Sequence, residues 1–232
     1  MILNAKDISV VIPSREKPIL QTTNITIESG EFVVVLGANG SGKSTLIKTL
    51  SGEITATSGD ILLDGIPITQ LPTSQKAIDF VTLSQNAESR LFVELTLQEN
   101  IALWESRSKS RAMGRQPLPE KFNAYMHQKL SQFSGGEKQA ILLHLALSIP
   151  PKILFLDEHT SALDHKAADT IMALTAKQVA EHSITTLMVT HNLEDALRYG
   201  SRVVVMHEGR ILHDQKKNTN LSLKEIKEMV FN

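Results

Sequence analysis

The sequence predicts an α/β fold built on a mostly parallel sheet, and three observations carry that expectation. In the second half, short apolar runs at 153–156, 185–189 and 202–206 are separated by helical patterns over 166–181 and 193–199. Alternating βα units of this kind close into a parallel sheet with helices on both faces. Near the N-terminus, Phe32-Val33-Val34-Val35-Leu36 reads as a buried strand that hands over to a glycine-rich loop and then to helix-compatible residues 46–50. Between these strand-rich parts, residues 86–150 turn helical, as an insertion would.

Taken in order, residues 2–12 and 19–28 read as two β-rich segments split by Pro13-Ser14-Arg15-Glu16-Lys17-Pro18. They are expected to form an antiparallel β subdomain at the N-terminus. Ser29-Gly30 turns the chain into the strand at 32–36, and Gly52 stops the helix after the glycine loop. Ser58-Gly59-Asp60 and Asp64-Gly65 bracket Ile61-Leu62-Leu63 as a hairpin, and residues 80–83 make another buried strand. Thr96-Leu97-Gln98-Glu99 has capping-box spacing, so a helix starts there and carries Ile101-Ala102-Leu103-Trp104. Residues 106–116 hold Arg107, Lys109, Arg111 and Arg115 with no apolar period, the mark of an exposed linker. A second helix is expected over 118–130 and a third over 137–147, ended by Pro150-Pro151. Glu208-Gly209 turns a last hairpin, and Ser222-Leu223-Lys224-Glu225 caps a terminal helix.

The glycine loop reads as a phosphate cradle. Gly37, Gly40 and Gly42 open backbone conformations closed to other residues and bring N–H groups toward phosphate oxygens. The helix start adds free N–H groups and partial positive charge. Lys43 can reach the β- and γ-phosphates, and the Ser44 hydroxyl can ligand Mg²⁺. Gly37-Ala38-Asn39-Gly40-Ser41-Gly42-Lys43-Ser44-Thr45 fits GxxxxGK[ST] in its required strand–loop–helix setting. The core is therefore of the P-loop NTPase type, and the chain binds a nucleoside triphosphate.

Composition excludes several other functions. A net charge of −1 and a pI near 6.7 leave no basic excess for gripping a nucleic-acid backbone. The basic stretch at 106–116 has no interleaved aromatic residues on which bases could stack. With no cysteine, disulfides, thiolate metal sites and cysteine catalysis are ruled out. Apolar runs fall far short of the ~20 residues that span a bilayer. Asn4, Lys6 and Asp7 interrupt any leader pattern. The expectation is a soluble, cytoplasmic protein whose membrane role, if any, comes through a partner.

Further residues fall into place around the loop. The strand at 153–156 ends in Asp157 and Glu158, delivered at the edge where parallel α/β sheets bind ligands. The first carboxylate can hold Mg²⁺ through water, and the second can accept a proton from an attacking water. Ser134-Gly135-Gly136-Glu137 opens a helix with a serine and two glycines, a second anion-ready start. Gln85 follows the strand at 80–83, and His191 follows the strand at 185–189, at the same edge as Asp157.

Read together, GANGSGKST at 37–45, Gln85, SGGE at 134–137, ILFLDE at 153–158, SALD at 161–164 and VTH at 189–191 resemble the ATP-binding subunits of ABC transporters. Many NTPases share the phosphate loop; SGGE is the specific element. The resemblance implies one ATPase domain over 1–232, with a catalytic core at 1–85 and 151–232 and a helical subdomain at 86–150. It implies that the loop from Gly37 to Thr45 cradles ATP, with Ser44, Gln85 and Asp157 holding Mg²⁺. Gln85 would also sense the γ-phosphate and link it to the membrane partner. Glu158 would polarise the attacking water, and His191 would contact the γ-phosphate and steady Glu158. Ser134, Gly135 and Gly136 would bind the γ-phosphate of ATP held by a second subunit, and Asp164 would line the contact between subunits.

The implied machine is a head-to-tail dimer, a homodimer by expectation, closed around two ATP molecules. It would sit on the inner face of the cell membrane through a transmembrane permease, with a solute-binding protein as a further partner and no nucleic acid. An importer is favoured, because no TEVGERG-like segment precedes the signature, as one often does in exporters. Leu-Asp-Glu-His-Thr at 156–160 and Met-His-Glu-Gly-Arg at 206–210 are similar in style to amino-acid importer ATPases. The alternative is a soluble ABC-type ATPase outside transport, such as one serving iron–sulfur assembly. A phosphotransferase kinase would share only the phosphate loop and leave SGGE and His191 unexplained.

Several positions depart from the family pattern. Glu137 stands where glutamine is usual, with a mild effect expected, and Phe133 replaces a leucine as a packing change. His159 stands where proline is usual; it reads as a loop histidine, against the alternative that it tunes Glu158 electrostatically. No aromatic occurs before Phe32, so Ile12 occupies the place of the usual adenine platform, with Arg15 as a substitute stacking group. Leu91, Phe92 and Val93 either line a groove for a partner helix or belong to ordinary packing.

Overall fold

The computed structural model describes residues 2–14, 17–106, 118–217 and 222–231. Its strands are β1 (Leu3–Val10), β2 (Leu20–Ile27), β3 (Phe32–Leu36), β4 (Ser58–Leu63), β5 (Ile66–Pro67), β6 (Phe80–Ser84), β7 (Ile153–Asp157), β8 (Thr185–Val189), β9 (Arg202–His207) and β10 (Arg210–Lys216). The helices are α1 (Lys43–Leu50), α2 (Thr73–Asp79), α3 (Leu97–Ser106), α4 (Gly135–Leu147), α5 (His165–His182), α6 (Leu193–Tyr199) and α7 (Leu223–Phe231).

Two sheets result. The smaller is antiparallel, in the order β2-β1-β4-β5. The larger runs β10-β9-β3-β8-β7-β6 and is parallel except for the edge hairpin β9–β10. Every described side chain of β3 and β8 is buried, as a strand covered on both faces requires. Alternation along the strands divides the core in two. Val33, Val35, Phe155, Leu187 and Val189 join α1's Leu46, Ile47 and Leu50 and the inner face of the small sheet. Val34, Leu36, Leu154, Leu156 and Met188 face the opposite way, into the helical block and α5. The helix that leaves the glycine loop therefore lies in the core shared with the small sheet, while the second layer belongs to the helices.

The two sheets are also tied by charge. Arg202 donates to both Asp214 oxygens at 2.5 and 2.6 Å, to Glu31 at 3.1 Å and to the Thr26 carbonyl at 2.7 Å. Only 11% of its side chain is exposed, so these partners satisfy a guanidinium that water scarcely reaches.

Two expectations are corrected. Residues 118–130 do not form an α-helix; 3₁₀ turns at Glu120–Tyr125 and Leu130–Gln132 take their place. Their backbone is committed elsewhere. Leu97 and Gln98 donate to the carbonyls of Gln128 and Met126, and Leu130 and Ser131 donate to those of Leu95 and Val93. Pairing across to 93–98 replaces the i→i−4 ladder that a helix would need. Helix α2, in turn, forms where none was expected, with Pro72 before its first turn. The basic linker read at 106–116 lies, apart from Ser106, outside the described residues.

Candidate active site

Strand register gathers the site. Val35 pairs with Val189, Val189 with Asp157, and Asp157 with Ser84. The ends of β3, β8, β7 and β6 thus line one edge, and each releases its functional residue there: the glycine loop, His191, Asp157-Glu158 and Gln85. Gln85 is exposed, directly beyond Ser84.

The loop has the form of a cradle. At Gly37 an added Cβ would lie 2.2 Å from the Met206 carbonyl oxygen and 2.7 Å from Ser41 Oγ, so no side chain fits. Gly42 caps α1 at φ 99°, a conformation that suits glycine, and α1 begins at Lys43, so Lys43, Ser44 and Thr45 form its first turn. Their free N–H groups face the same space as the loop. Ser41 Oγ is buried without a hydrogen-bond partner. It lies beside the Gly37 backbone and the Met206 carbonyl, outside the cavity the loop lines, so the backbone N–H groups of the loop and of α1's first turn are what suit an anion with several acceptor oxygens. Asn39, Gly40, Gly42, Lys43, Ser44 and Thr45 line a cavity of about 430 Å³ together with Ile19 and Glu158.

Lys43 is buried, its Nζ donating to the carbonyls of Gly37 and Ala38 at 2.9 Å each. Burial pushes its ammonium below the usual lysine range, against the pull of Glu158 and Asp157. Ser44 Oγ donates to Asp157 Oδ1 at 3.0 Å. Burial raises the Asp157 carboxyl above its ordinary range, the Ser44 bond opposes that, and Glu158 adds to it. Two hard oxygen donors converging beside a phosphate cradle fit Mg²⁺, which takes a carboxylate or two and leaves its other positions to water and phosphate. His191 Nε2 lies 2.6 Å from Glu158 Oε1. Glu158 itself has φ 51°, left-handed for a residue with a side chain.

The SGGE segment stands apart from this edge: the cavity lined by Lys43 contains none of Ser134, Gly135 or Gly136. Ser134 instead caps α4. One oxygen of Glu137, Oε2, accepts from the Ser134 backbone N–H at 2.9 Å and its hydroxyl at 2.8 Å, while Ser134 Oγ accepts from the Glu137 N–H at 3.3 Å. Ser134-x-x-Glu137 is thus a capping box of the same type as Thr96-x-x-Glu99. The Ser-x-x-Glu spacing of this box is local to the sequence, beside the two glycines that suggest an anion site. Gly136 approaches Ala167, and Gly135 approaches Leu163, so the starts of α4 and α5 are neighbours. Asp164 caps α5 by accepting from the Ala167 N–H at 2.9 Å.

The structure also places the remaining candidates. His159 does lie in the turn after β7, as expected, but only 2% of it is exposed, and burial drives its imidazole down to about 4. Ile19, which sequence reasoning passed over, lines the nucleotide cavity, whereas Ile12 is 39% exposed and Arg15 lies outside the described residues. Leu91 belongs to the core, while Phe92 is 58% exposed at a groove of about 750 Å³ that reaches from Lys48 and Glu53 to Asp157.

A glycine-loop cradle, a serine–aspartate pair and a carboxylate–imidazole pair on one sheet edge suit a nucleoside triphosphatase. The family described as ABC transporter matches residues 20–161. A tyrosine transport ATP-binding protein of Clostridioides difficile is 36% identical, over 97% of both chains. A glutamine transport ATP-binding protein of Geobacillus stearothermophilus is 33% identical, over 84% of each. Among solved structures, an ATP-binding subunit of an ABC transporter superposes with a TM-score of 0.83 at 26% identity, covering 98% of both chains. A dimeric ATP-binding cassette in a post-hydrolysis state with ADP and phosphate gives 0.76 at 25% identity, covering 93% of this chain and 98% of that one. The chain belongs to the ABC transporter family, as one of its ATP-binding, ATP-hydrolysing subunits. Among the described residues no helix is long and apolar enough to cross a membrane.

Proposed function

We propose that this chain is the motor subunit of an importer for a small solute, an amino acid by the names of its relatives. It would act as a dimer of like subunits, docked on a transmembrane permease at the inner face of the membrane. The observation that carries the chemistry is the His191–Glu158 contact beside the phosphate cradle. The transport reading is supported by the tyrosine and glutamine transport proteins that share most of this chain's length. Those names also favour it over a soluble ATPase of the iron–sulfur assembly kind. The groove that ends in Phe92 would receive a helix of the permease.

In this reading the loop from Gly37 to Thr45 binds the phosphates, and Lys43 exchanges its carbonyl partners for phosphate oxygens. Ser44, Asp157 and Gln85 would hold Mg²⁺, which would supply charge neutralisation for the phosphate oxygens. Glu158 takes the proton of the attacking water, and His191 fixes the carboxylate by its 2.6 Å contact. Ser134, Gly135 and Gly136 serve the site of the second subunit, because in their own subunit they stand away from the cradle. Asp164, at the neighbouring helix start, lies on the same face.

The test separates binding from chemistry. Glu158→Gln should retain ATP affinity within about threefold and lose roughly a hundredfold or more of turnover. It should also run as an ATP-dependent dimer on gel filtration. Lys43→Ala should lose binding itself. Near-parental hydrolysis by Glu158→Gln would remove Glu158 from the base role.

A further inference from the structure

The turn after β7 is bonded on two sides. On the outer side, the Glu158 N–H donates to the Val189 carbonyl at 3.1 Å, and its own carbonyl accepts from the Ser161 N–H at 3.0 Å and the Ser161 hydroxyl at 2.8 Å. These bonds hold Glu158 in its left-handed backbone, at φ 51°. On the inner side, His159 is only 2% exposed and lies against α5, at the wall of a cavity of about 250 Å³ that Glu158 and His191 also line. His159 Nε2 lies 3.4 Å from Thr175 Oγ1, on a fully buried residue in the third turn of α5.

The bonding pattern assigns the proton. The Thr175 hydroxyl donates to the Ile171 carbonyl at 2.8 Å, one turn back in its own helix. It can therefore only accept from the imidazole, so His159 carries its hydrogen on Nε2. Burying an imidazole costs free energy that an apolar side chain of the same size would not, unless the ring is paired. Apolar packing would fill the space but would let the turn slide; a donor–acceptor pair fixes direction as well as distance.

We propose that His159 and Thr175 form a positioning pair that sets the Glu158 carboxylate by pinning the turn behind it to α5. The inference rests on the reading of Glu158 as base. His159 touches no substrate. It acts through the backbone of its neighbour, where a shift of an ångström is enough to misplace a carboxylate for proton transfer. The same bond joins the turn to α5, the helix that Asp164 caps, so the base and that helix move as one body.

The test uses the full-length chain, Mg²⁺ and ATP under single turnover, with nucleotide affinity and thermal midpoint measured beside the rate. Thr175→Val removes the acceptor and keeps the volume. It should lower the hydrolysis rate by about tenfold and change nucleotide Kd by less than about twofold. His159→Gln, which restores a donor, should keep at least about half of the parental rate, whereas His159→Leu should match Thr175→Val. The double variant His159→Leu/Thr175→Val should be no slower than His159→Leu, since both remove one bond. Parental hydrolysis by folded Thr175→Val would overturn the proposal, as would multiplicative losses in the double variant. Should His159→Leu fail to fold, Thr175→Val with His159→Gln decides. Placed in a Glu158→Gln background, Thr175→Val should change nothing further. Full activity of Glu158→Gln alone would instead strike the base assignment, a different result from a silent Thr175→Val.

Discussion

His191 Nε2 and Glu158 Oε1 lie 2.6 Å apart, although 33 residues separate them in the chain. The pairing of Asp157 with Val189 makes this possible, because β7 and β8 end level with one another. Each strand needs to extend only a residue or two past the sheet to bring the two side chains together. The contact is a property of the parallel register, and a substitution that slipped β8 would break it without touching either residue.

Gly135 offers a test of the second subunit's contribution. An added Cβ there would meet only Leu163 Cδ2, at 3.7 Å, an ordinary contact. Gly135→Asp should therefore fold and bind ATP as a monomer, while ATP-dependent dimerisation and turnover fall by about tenfold or more, since in the proposed dimer its negative charge would stand where phosphate would arrive. Loss of nucleotide binding by the isolated subunit, seen in a titration, would contradict the two-subunit site.

The Asp157 carboxyl predicts a conflict between stability and function. Its folded value is raised above the ordinary carboxylate range, mainly by burial. The native state thus binds the proton more tightly than the unfolded chain, and stability declines as pH rises through that raised range. Asp157→Asn keeps an acceptor for Ser44 and drops the charge. In nucleotide-free protein at neutral pH it should raise the thermal midpoint by about 2 °C, a small gain because the group is only half-buried. The advantage should shrink as pH falls into the ordinary carboxylate range and the parental carboxyl takes up its proton, and Mg²⁺-dependent hydrolysis should be lost. A lower midpoint for the variant at neutral pH, by calorimetry, would count against the burial argument.

Ile19 bears on base selectivity. A branched aliphatic wall gives the base contact area without hydrogen bonds, and adenine and guanine offer similar area. ATP and GTP should bind within about tenfold of one another, a gap of about 1.4 kcal/mol. Ile19→Ala should loosen both alike. If competition titrations favour ATP by a hundredfold, some other residue reads the ring.

Phe92 is the sharpest probe of the permease reading. At 58% exposure it contributes little to the core, so Phe92→Asp should leave the thermal midpoint within about 1 °C. Co-purification with the permease should fall several-fold. Intact assembly in that variant would return the residue to ordinary surface.

Most of this site was legible from short-range signals. The cradle, Asp157, Glu158, Gln85 and His191 all follow apolar strands, and a strand's end can be read from its own residues. What escaped depends on distant partners. Residues 118–130 carry helix-compatible side chains, but their N–H groups and carbonyls pair with 93–98, which no local pattern announces. His159 reads as a loop residue and is one, but its burial cannot be read locally; the helix that buries it begins six residues later and meets it with Thr175. Ile19 enters the nucleotide cavity because its carbonyl is drawn close to Gly42 and Gly209, a three-way approach between segments far apart in the chain.

The box at the head of α4 changes what closing the dimer means. Glu137 Oε2 already draws on both the N–H and the hydroxyl of Ser134. A phosphate delivered by a second subunit would meet a seated oxygen rather than bare donors, so its arrival would be an ion exchange: one anion leaves as another settles. Swaps of this kind have little net electrostatic pull of their own. The drive to close would then come from the opposite half of the sandwich, where the cradle holds its phosphates, and this helix start would serve as a latch that engages late and releases easily.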